Sequence, residues 1–263
     1  MHKSKPTLFL VGAGPGDPDL ISVKGLKILQ QADVVLYDAL VSPLLLANVQ
    51  ENCKRIYVGK RKGIKEFTQD EINHLLVYYA RRFSHVVRLK GGDCNVFGRG
   101  HEELKFATLH GVTVEVIPGI SSSLSAPTAA GIPLTLRGVS EGFWVVTGTT
   151  SRGQLSEDFS FAAQSTATII VLMGLSQIAD IANIIQQARS PQEPMAVIQN
   201  ATLPQQKVVV GTASSIHQQV IKNEITTPAV IVIGKVIEQR EQTSGNLKVE
   251  NVNTILRHAN CSH

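Results

Sequence analysis

Cysteine is scarce in this chain, and so are aromatic residues and long apolar runs. Three cysteines in 263 residues (Cys53, Cys94 and Cys261) form no CxxC and leave an odd thiol, which argues against a disulfide scaffold or a zinc ribbon. The eight histidines make no HExxH and no close pair at ligand spacing, so no metal is expected. Apolar runs such as Ile169–Met173 and Ala229–Ile233 stop far short of the ~20 residues that span a bilayer. Residues 1–6 run straight into an apolar, strand-like segment without a secretory signal, and the expectation is a soluble, cytoplasmic protein with no membrane partner. With 43% hydrophobic residues the chain can bury a sizeable core, and 21 glycines with 11 prolines rule out a collagen-like composition.

Charge is present but unevenly placed. Residues 1–140 hold 17 Lys and Arg against 12 Asp and Glu, whereas residues 141–263 hold 8 against 9. The basic excess gathers at Lys60, Arg61, Lys62 and Lys65 and suits an anionic partner. A nucleic-acid module is disfavoured, because only Tyr57 and Phe67 lie near the cluster and no RRM, KH or OB signature accompanies it.

The first half alternates short strands (Thr7–Val11, Asp33–Tyr37, Arg55–Val58, His85–Leu89, Val112–Ile117) with helices at Leu20–Gln31, after Thr68 and from about Gly100 to His110. Ser42-Pro43 opens a short helix, and Thr68-Gln69-Asp70-Glu71 reads as a capping box. Such alternation implies βαβ units and a mainly parallel sheet. The second half holds five more strands, at Phe143–Thr147, Thr168–Met173, Met195–Gln199, Lys207–Val210 and Ala229–Ile233, with helices at Leu175–Ala188 and Ala213–Lys222. Two successive strands with no helix between them predict a mixed sheet there. The fold class is α/β, with an N-terminal domain over 1–138, a C-terminal domain over 139–240, and a polar, poorly ordered tail over 241–263.

Three loops carry the chemistry. Gly12-Ala13-Gly14-Pro15-Gly16-Asp17 follows the first strand and lets backbone approach a ligand closely. A dinucleotide fingerprint fails there, because GxGxxG needs glycine where Asp17 stands. The loop reads as a site wall, or as a tight strand–helix turn. Gly91-Gly92-Asp93 ends the fourth strand, where ligands bind in open parallel sheets, and Asp93 suits a ribose or an ammonium. Downstream, Arg99 stands between two glycines, and Glu102 and Glu103 complement a helix dipole. In Pro118-Gly119-Ile120-Ser121-Ser122-Ser123 each serine alone is a helix cap, and together they also suit a ligand.

Taken in order, GAGPGDP, YDALVS, VGKR, RLKGGD, FGRGxEE, PGISS and GIPLT resemble the tetrapyrrole methyltransferases. Within that family the resemblance is to the branch that methylates uroporphyrinogen III. It runs from about Thr7 to Ile237 and continues through VLMG, AVIQNAT and TPAVIVIG. A later precorrin methyltransferase of the same fold is the alternative. Two residues depart from the pattern: Cys94 stands where the family usually has proline, and Leu136 where many members have histidine.

The resemblance implies a two-domain α/β fold that is usually a homodimer. S-adenosyl-L-methionine would lie in the cleft between the domains and be consumed as methyl donor, with no metal. Pro15, Gly91, Gly92, Asp93, Val96, Ser121, Ser122, Met173 and Ala201 match cofactor-lining positions, although Met173 read alone is a core methionine. Asp38 and Lys60 match a proton acceptor and donor, and Arg99, Glu102 and Arg137 match positions near the substrate. The implied substrate carries eight carboxylates, which gives the basic excess of the first half a purpose.

Overall fold

The computed structural model describes residues 7–59, 67–150 and 152–240. The expected tail lies outside them. Five strands, β1 (Thr7–Gly12), β2 (Val34–Tyr37), β3 (Lys54–Tyr57), β4 (His85–Lys90) and β5 (Thr113–Ile117), form a parallel sheet in the order β3-β2-β4-β1-β5. The crossovers carry α1 (Val23–Gln30), α2 (Gln69–Ala80) and α3 (Gly100–Leu109), and α4 (Ser122–Ala129) follows β5. Strand alternation divides the core between the two faces. Phe9, Val11, Val35, Val87 and Leu89 pack with Leu29 of α1, while Leu8, Leu10, Leu36 and Val86 pack with Leu76 of α2 and Ala107 of α3.

The second sheet comprises β6 (Phe143–Thr147), β7 (Thr168–Leu172), β8 (Pro194–Gln199), β9 (Lys207–Thr212) and β10 (Ala229–Ile233), in the order β6-β7-β10-β8-β9. Only β6 and β7 run parallel; the other pairings are antiparallel, which makes the sheet mixed. Helices α5 (Asp158–Gln164), α6 (Ile178–Ala188) and α7 (Ile216–Lys222) cover one face around the fully buried Phe159, Ile181 and Ile216. The other face is closed by α4, whose Ala126, joined by Ala130 and Ile132, packs on Ile170, Leu172, Ala196, Ile198 and Val232. A helix that precedes the expected domain boundary thus completes the core of the second sheet.

Local chemistry accounts for the element ends. Thr68 Oγ1 accepts from the Glu71 amide at 3.2 Å and the Glu71 carboxylate accepts from the Thr68 amide at 2.8 Å, closing the capping box. The helix expected from Leu20 is broken in two: Asp17 caps a single turn over Pro18–Leu20, and Ser22 caps α1 by accepting from Gly25. No helix among the described residues is long and apolar enough to cross a membrane.

Candidate active site

Three loops meet at the carboxyl ends of the adjacent strands β4, β1 and β5. Ala13 donates to the Lys90 carbonyl at 2.7 Å, and Gly14 and Gly92 exchange two backbone hydrogen bonds, so the first loop is stitched to the second. A Cβ on Gly12 would lie 2.5 Å from Gly119 Cα and 2.8 Å from the Gly92 carbonyl oxygen, which only glycine avoids. Gly119 belongs to the third loop, and its amide donates to Asp93 Oδ2 at 3.0 Å while Asn95 donates to Oδ1 at 2.8 Å. Oδ2 of Asp93 therefore ties the second loop to the third, while Oδ1 closes a turn within its own loop. Ser121, almost fully buried, caps α4 and shares a hydrogen bond with Ser123. A Cβ on Gly92 would sit 3.9 Å from the Ser122 amide and 4.0 Å from Ser121 Cα, so GGD and PGISS form one surface.

The second sheet reaches the same loops. The Asp17 amide donates to Thr202 Oγ1 at 3.1 Å, and a Cβ on Gly16 would lie 3.3 Å from the Ala201 carbonyl oxygen. Pro15 is thereby placed next to the β8–β9 loop that carries Ala201. Asn200 and Thr202 flank that alanine with left-handed backbone, φ 49° and 68°. Met173 follows β7 with φ 55°, and its carbonyl accepts from Thr149 Oγ1 at 2.8 Å. It is half exposed, which removes it from the core that its sequence context suggests. Val96 is also partly exposed, on the loop before α3.

The residues expected near the substrate divide into separate groups. Arg99 is the residue before α3, held in the left-handed region at φ 60°. Its guanidinium grips Glu102 in a bidentate pair, Nε to Oε1 at 2.9 Å and Nη2 to Oε2 at 2.6 Å, and both side chains are exposed. The pair holds the Glu102 carboxyl below the usual carboxylate range. Arg137 is exposed at a turn closed by the Leu136–Ser140 bridge. Lys60 lies outside the described residues. Asp38, just past β2, pairs with Arg88, whose Nη2 stands 2.6 Å from Oδ1.

Arg88 belongs to a buried ionic cluster. On β4, Arg88 and Lys90 face the α2–α3 side, and both donate to Oε1 of the fully buried Glu103, at 3.1 and 3.0 Å. Gln69 adds a third donor at 3.2 Å. Burial pulls the acid strength of Arg88 toward a lower pKa, and Glu103 and then Asp38 outweigh it, so the guanidinium stays charged. Two cations and two carboxylates make the group neutral. One clue stood in the sequence: two basic residues two apart in a strand that is otherwise apolar must share a face, and a central strand has no solvent to offer them.

Cys94 has no exposed surface, and burial pushes its thiol up to about 12. It is packing, with no exposed sulfur for redox chemistry. Cβ atoms on Gly98 and Gly100 would lie 2.5 and 2.6 Å from its carbonyl oxygen, which explains two glycines of the FGRG segment. No group of three or more metal-ligating side chains occurs among the described residues.

Residues 7–217 match the family model described as tetrapyrrole (corrin/porphyrin) methylases. A uroporphyrinogen-III C-methyltransferase of Methanocaldococcus jannaschii is 44% identical over 232 residues, covering 88% of this chain and 96% of that protein. A siroheme synthase of Chromobacterium violaceum is 40% identical over 93% of this chain, which spans only 52% of that longer protein. Among solved structures, a uroporphyrin-III C-methyltransferase from Thermus thermophilus complexed with S-adenosyl homocysteine superposes with a TM-score of 0.77 at 39% identity, over 88% of this chain and 99% of that one. The interlocked glycine loops, the paired sheets and these likenesses converge on one conclusion: the chain belongs to the tetrapyrrole methylase family.

Proposed function

We propose that this protein is a uroporphyrinogen-III C-methyltransferase, moving two methyl groups from S-adenosyl-L-methionine to C2 and C7 of uroporphyrinogen III to give precorrin-2 and S-adenosylhomocysteine. The observation that carries the reading is 44% identity to the Methanocaldococcus enzyme over nearly the full length of both chains. Gly92, where a Cβ would meet nothing nearer than 3.9 Å, leaves backbone open to a ligand at the strand ends, while Gly12 and Gly119 pack on each other behind it. When bound, S-adenosyl-L-methionine supplies an electrophilic methyl on a sulfonium sulfur.

In this reading Pro15, Gly91, Gly92, Asp93, Val96, Ser121, Ser122, Met173 and Ala201 line the donor pocket. Asp93 acts through its loops, since its oxygens are already engaged. Arg137 and the Nη1 of Arg99, the guanidinium nitrogen not engaged with Glu102, anchor substrate carboxylates, and orientation of this kind lowers barriers by ~7–11 kcal/mol. A pyrrole carbon takes the methyl, the electrons of the broken bond stay on sulfur, and the ring cation returns to neutrality by losing a proton. Glu102, kept ionised by Arg99, and Asp38 are the carboxylates offered for that proton, with Lys60 as the donor partner of Asp38.

The assignment extends to two domains, 1–138 and 139–240, to a homodimer and to a cytoplasmic location without metal, membrane or nucleic acid. Sedimentation of a species twice the 28.4 kDa chain mass supports the dimer, and a monomer at micromolar concentration refutes it. The deciding assay is incubation with uroporphyrinogen III and isotopically labelled S-adenosyl-L-methionine. A product heavier by two methyl groups is expected; an unmethylated tetrapyrrole overturns the assignment.

A further inference from the structure

The buried cluster on β4 has no part in the reading above, yet it touches that reading at one atom. Arg88 is 2% exposed and spends every arm of its guanidinium. Nε donates to Glu103 Oε1 at 3.1 Å, Nη1 to the Leu36 and Leu89 carbonyls at 3.5 and 3.3 Å, and Nη2 to Asp38 Oδ1 at 2.6 Å. Glu103 is in turn pinned by Lys90 and Gln69. Asp38 is the outermost member, with its side chain 28% exposed while those of Arg88, Lys90 and Glu103 are at most 5% exposed. The cluster is thus rigid at its inner end and open at one carboxylate. Burying two cations and two carboxylates in a core gives little net stability compared with apolar residues of the same size. A surface aspartate needs no such support.

We propose that Arg88 is a positioning residue for the methyl-transfer site, fixing the carboxylate of Asp38 by one oxygen so that the other is presented in a single orientation at the carboxyl end of β2. The inference rests on the reading of Asp38 as the proton acceptor. Glu103 and Lys90 serve the same purpose one step further in: Glu103 stops the guanidinium from rotating, and Lys90 balances the second carboxylate. Since Glu103 lies in the first turn of α3, the cluster also registers the helix that carries Arg99 and Glu102 against the strand that ends at Asp38.

The test is a double-mutant cycle read in turnover. In the wild-type background Arg88→Gln is expected to lower kcat at least tenfold, while KM for S-adenosyl-L-methionine and the calorimetric affinity for S-adenosylhomocysteine stay within twofold. In the Asp38→Asn background the same substitution is expected to change kcat less than twofold, because there is no longer a carboxylate to hold. A merely structural role would lower kcat by the same factor in both backgrounds, and that result overturns the inference, as does normal turnover of Arg88→Gln. Arg88→Lys keeps the charge without the fork and goes through the same cycle if Arg88→Gln gives no soluble protein. If neither replacement folds, Arg88 holds the fold rather than the site and the inference falls. Two controls separate this from failure of the underlying reading. Wild-type protein that transfers no methyl overturns the assigned activity itself, and full turnover of Asp38→Asn alone overturns the role of Asp38.

Discussion

Single side chains define what can be tested first. Arg99 and Glu102 are exposed, and a surface ion pair contributes only ~0–1 kcal/mol, so Arg99→Ala and Glu102→Gln should leave the melting temperature nearly unchanged. Turnover should fall ~10²–10⁴-fold in Glu102→Gln if it takes the proton. Retained turnover, or loss only through unfolding, would remove the pair from the chemistry. The sign of the pH effect also follows. Arg99 holds the Glu102 carboxyl low, so in Arg99→Ala that carboxyl returns upward and the acid limb of the rate profile moves to higher pH. Cys94 gives a second test. Its thiol is raised by burial from an ordinary value of 9.0 to about 12, so the folded state keeps a proton that the unfolded chain releases. Its contribution to stability is whole below about pH 9 and is lost as pH rises toward about 12. Native protein should therefore leave Cys94 unalkylated by iodoacetamide at pH 8, and denaturant should expose it; rapid labelling in the native state would contradict its burial.

At the scale of elements, the loops at the ends of β1, β4 and β5 act as one piece. Gly12→Ala puts a methyl 2.5 Å from the Gly119 backbone, and no flexible side chain is there to yield. The expected cost is ~1–3 kcal/mol, seen as a lower melting temperature together with weaker S-adenosylhomocysteine binding by calorimetry. Unchanged values of both would show that the loops are not in contact in solution. This interlocking was invisible in the sequence, where each glycine reads as an isolated turn residue. Periodicity reports which face a residue occupies and says nothing of which loops approach each other. The strands were legible because short Val- and Ile-rich runs between turn residues have few other structures open to them, and all ten segments expected from the sequence appear in the two sheets. Helix α5 was missed: its buried face consists of Phe159, Ala162 and Ala163 alone, a weak apolar period. The start of α1 was misplaced because Leu20 continues the apolar spacing across a break made by Asp17 and Ser22. Arg88 and Lys90 escaped notice for a related reason, since charge in a sequence is read as surface and only the position of β4 between β2 and β1 contradicts that.

At the scale of the whole molecule, the loops at the strand ends of the first sheet touch the β8–β9 loop of the second. A ligand that binds the folded form alone adds RT ln(1 + [L]/Kd), about 2.7 kcal/mol at a hundredfold excess over Kd. S-adenosylhomocysteine should therefore raise the melting temperature in a concentration-dependent way, and excess EDTA should alter neither that shift nor turnover. Activity abolished by the chelator would overturn the metal-free expectation. Basic residues concentrated before residue 141 point to where an anionic substrate is to be sought, but the sequence could not show that Arg99 spends its fork on Glu102. The hydrogen bond from Asp17 to Thr202 joins positions 185 residues apart. Its consequence concerns synthesis on the ribosome. The parallel sheet is complete once residue 117 has emerged, so the first half can form its strands early, whereas the loop at Pro15 waits for its partner until some 85 further residues have been made. During that interval α4 has no second sheet to cover, and its apolar face is open to solvent or to a chaperone. A nascent chain stalled before β8 should bind chaperones while showing no affinity for the methyl donor.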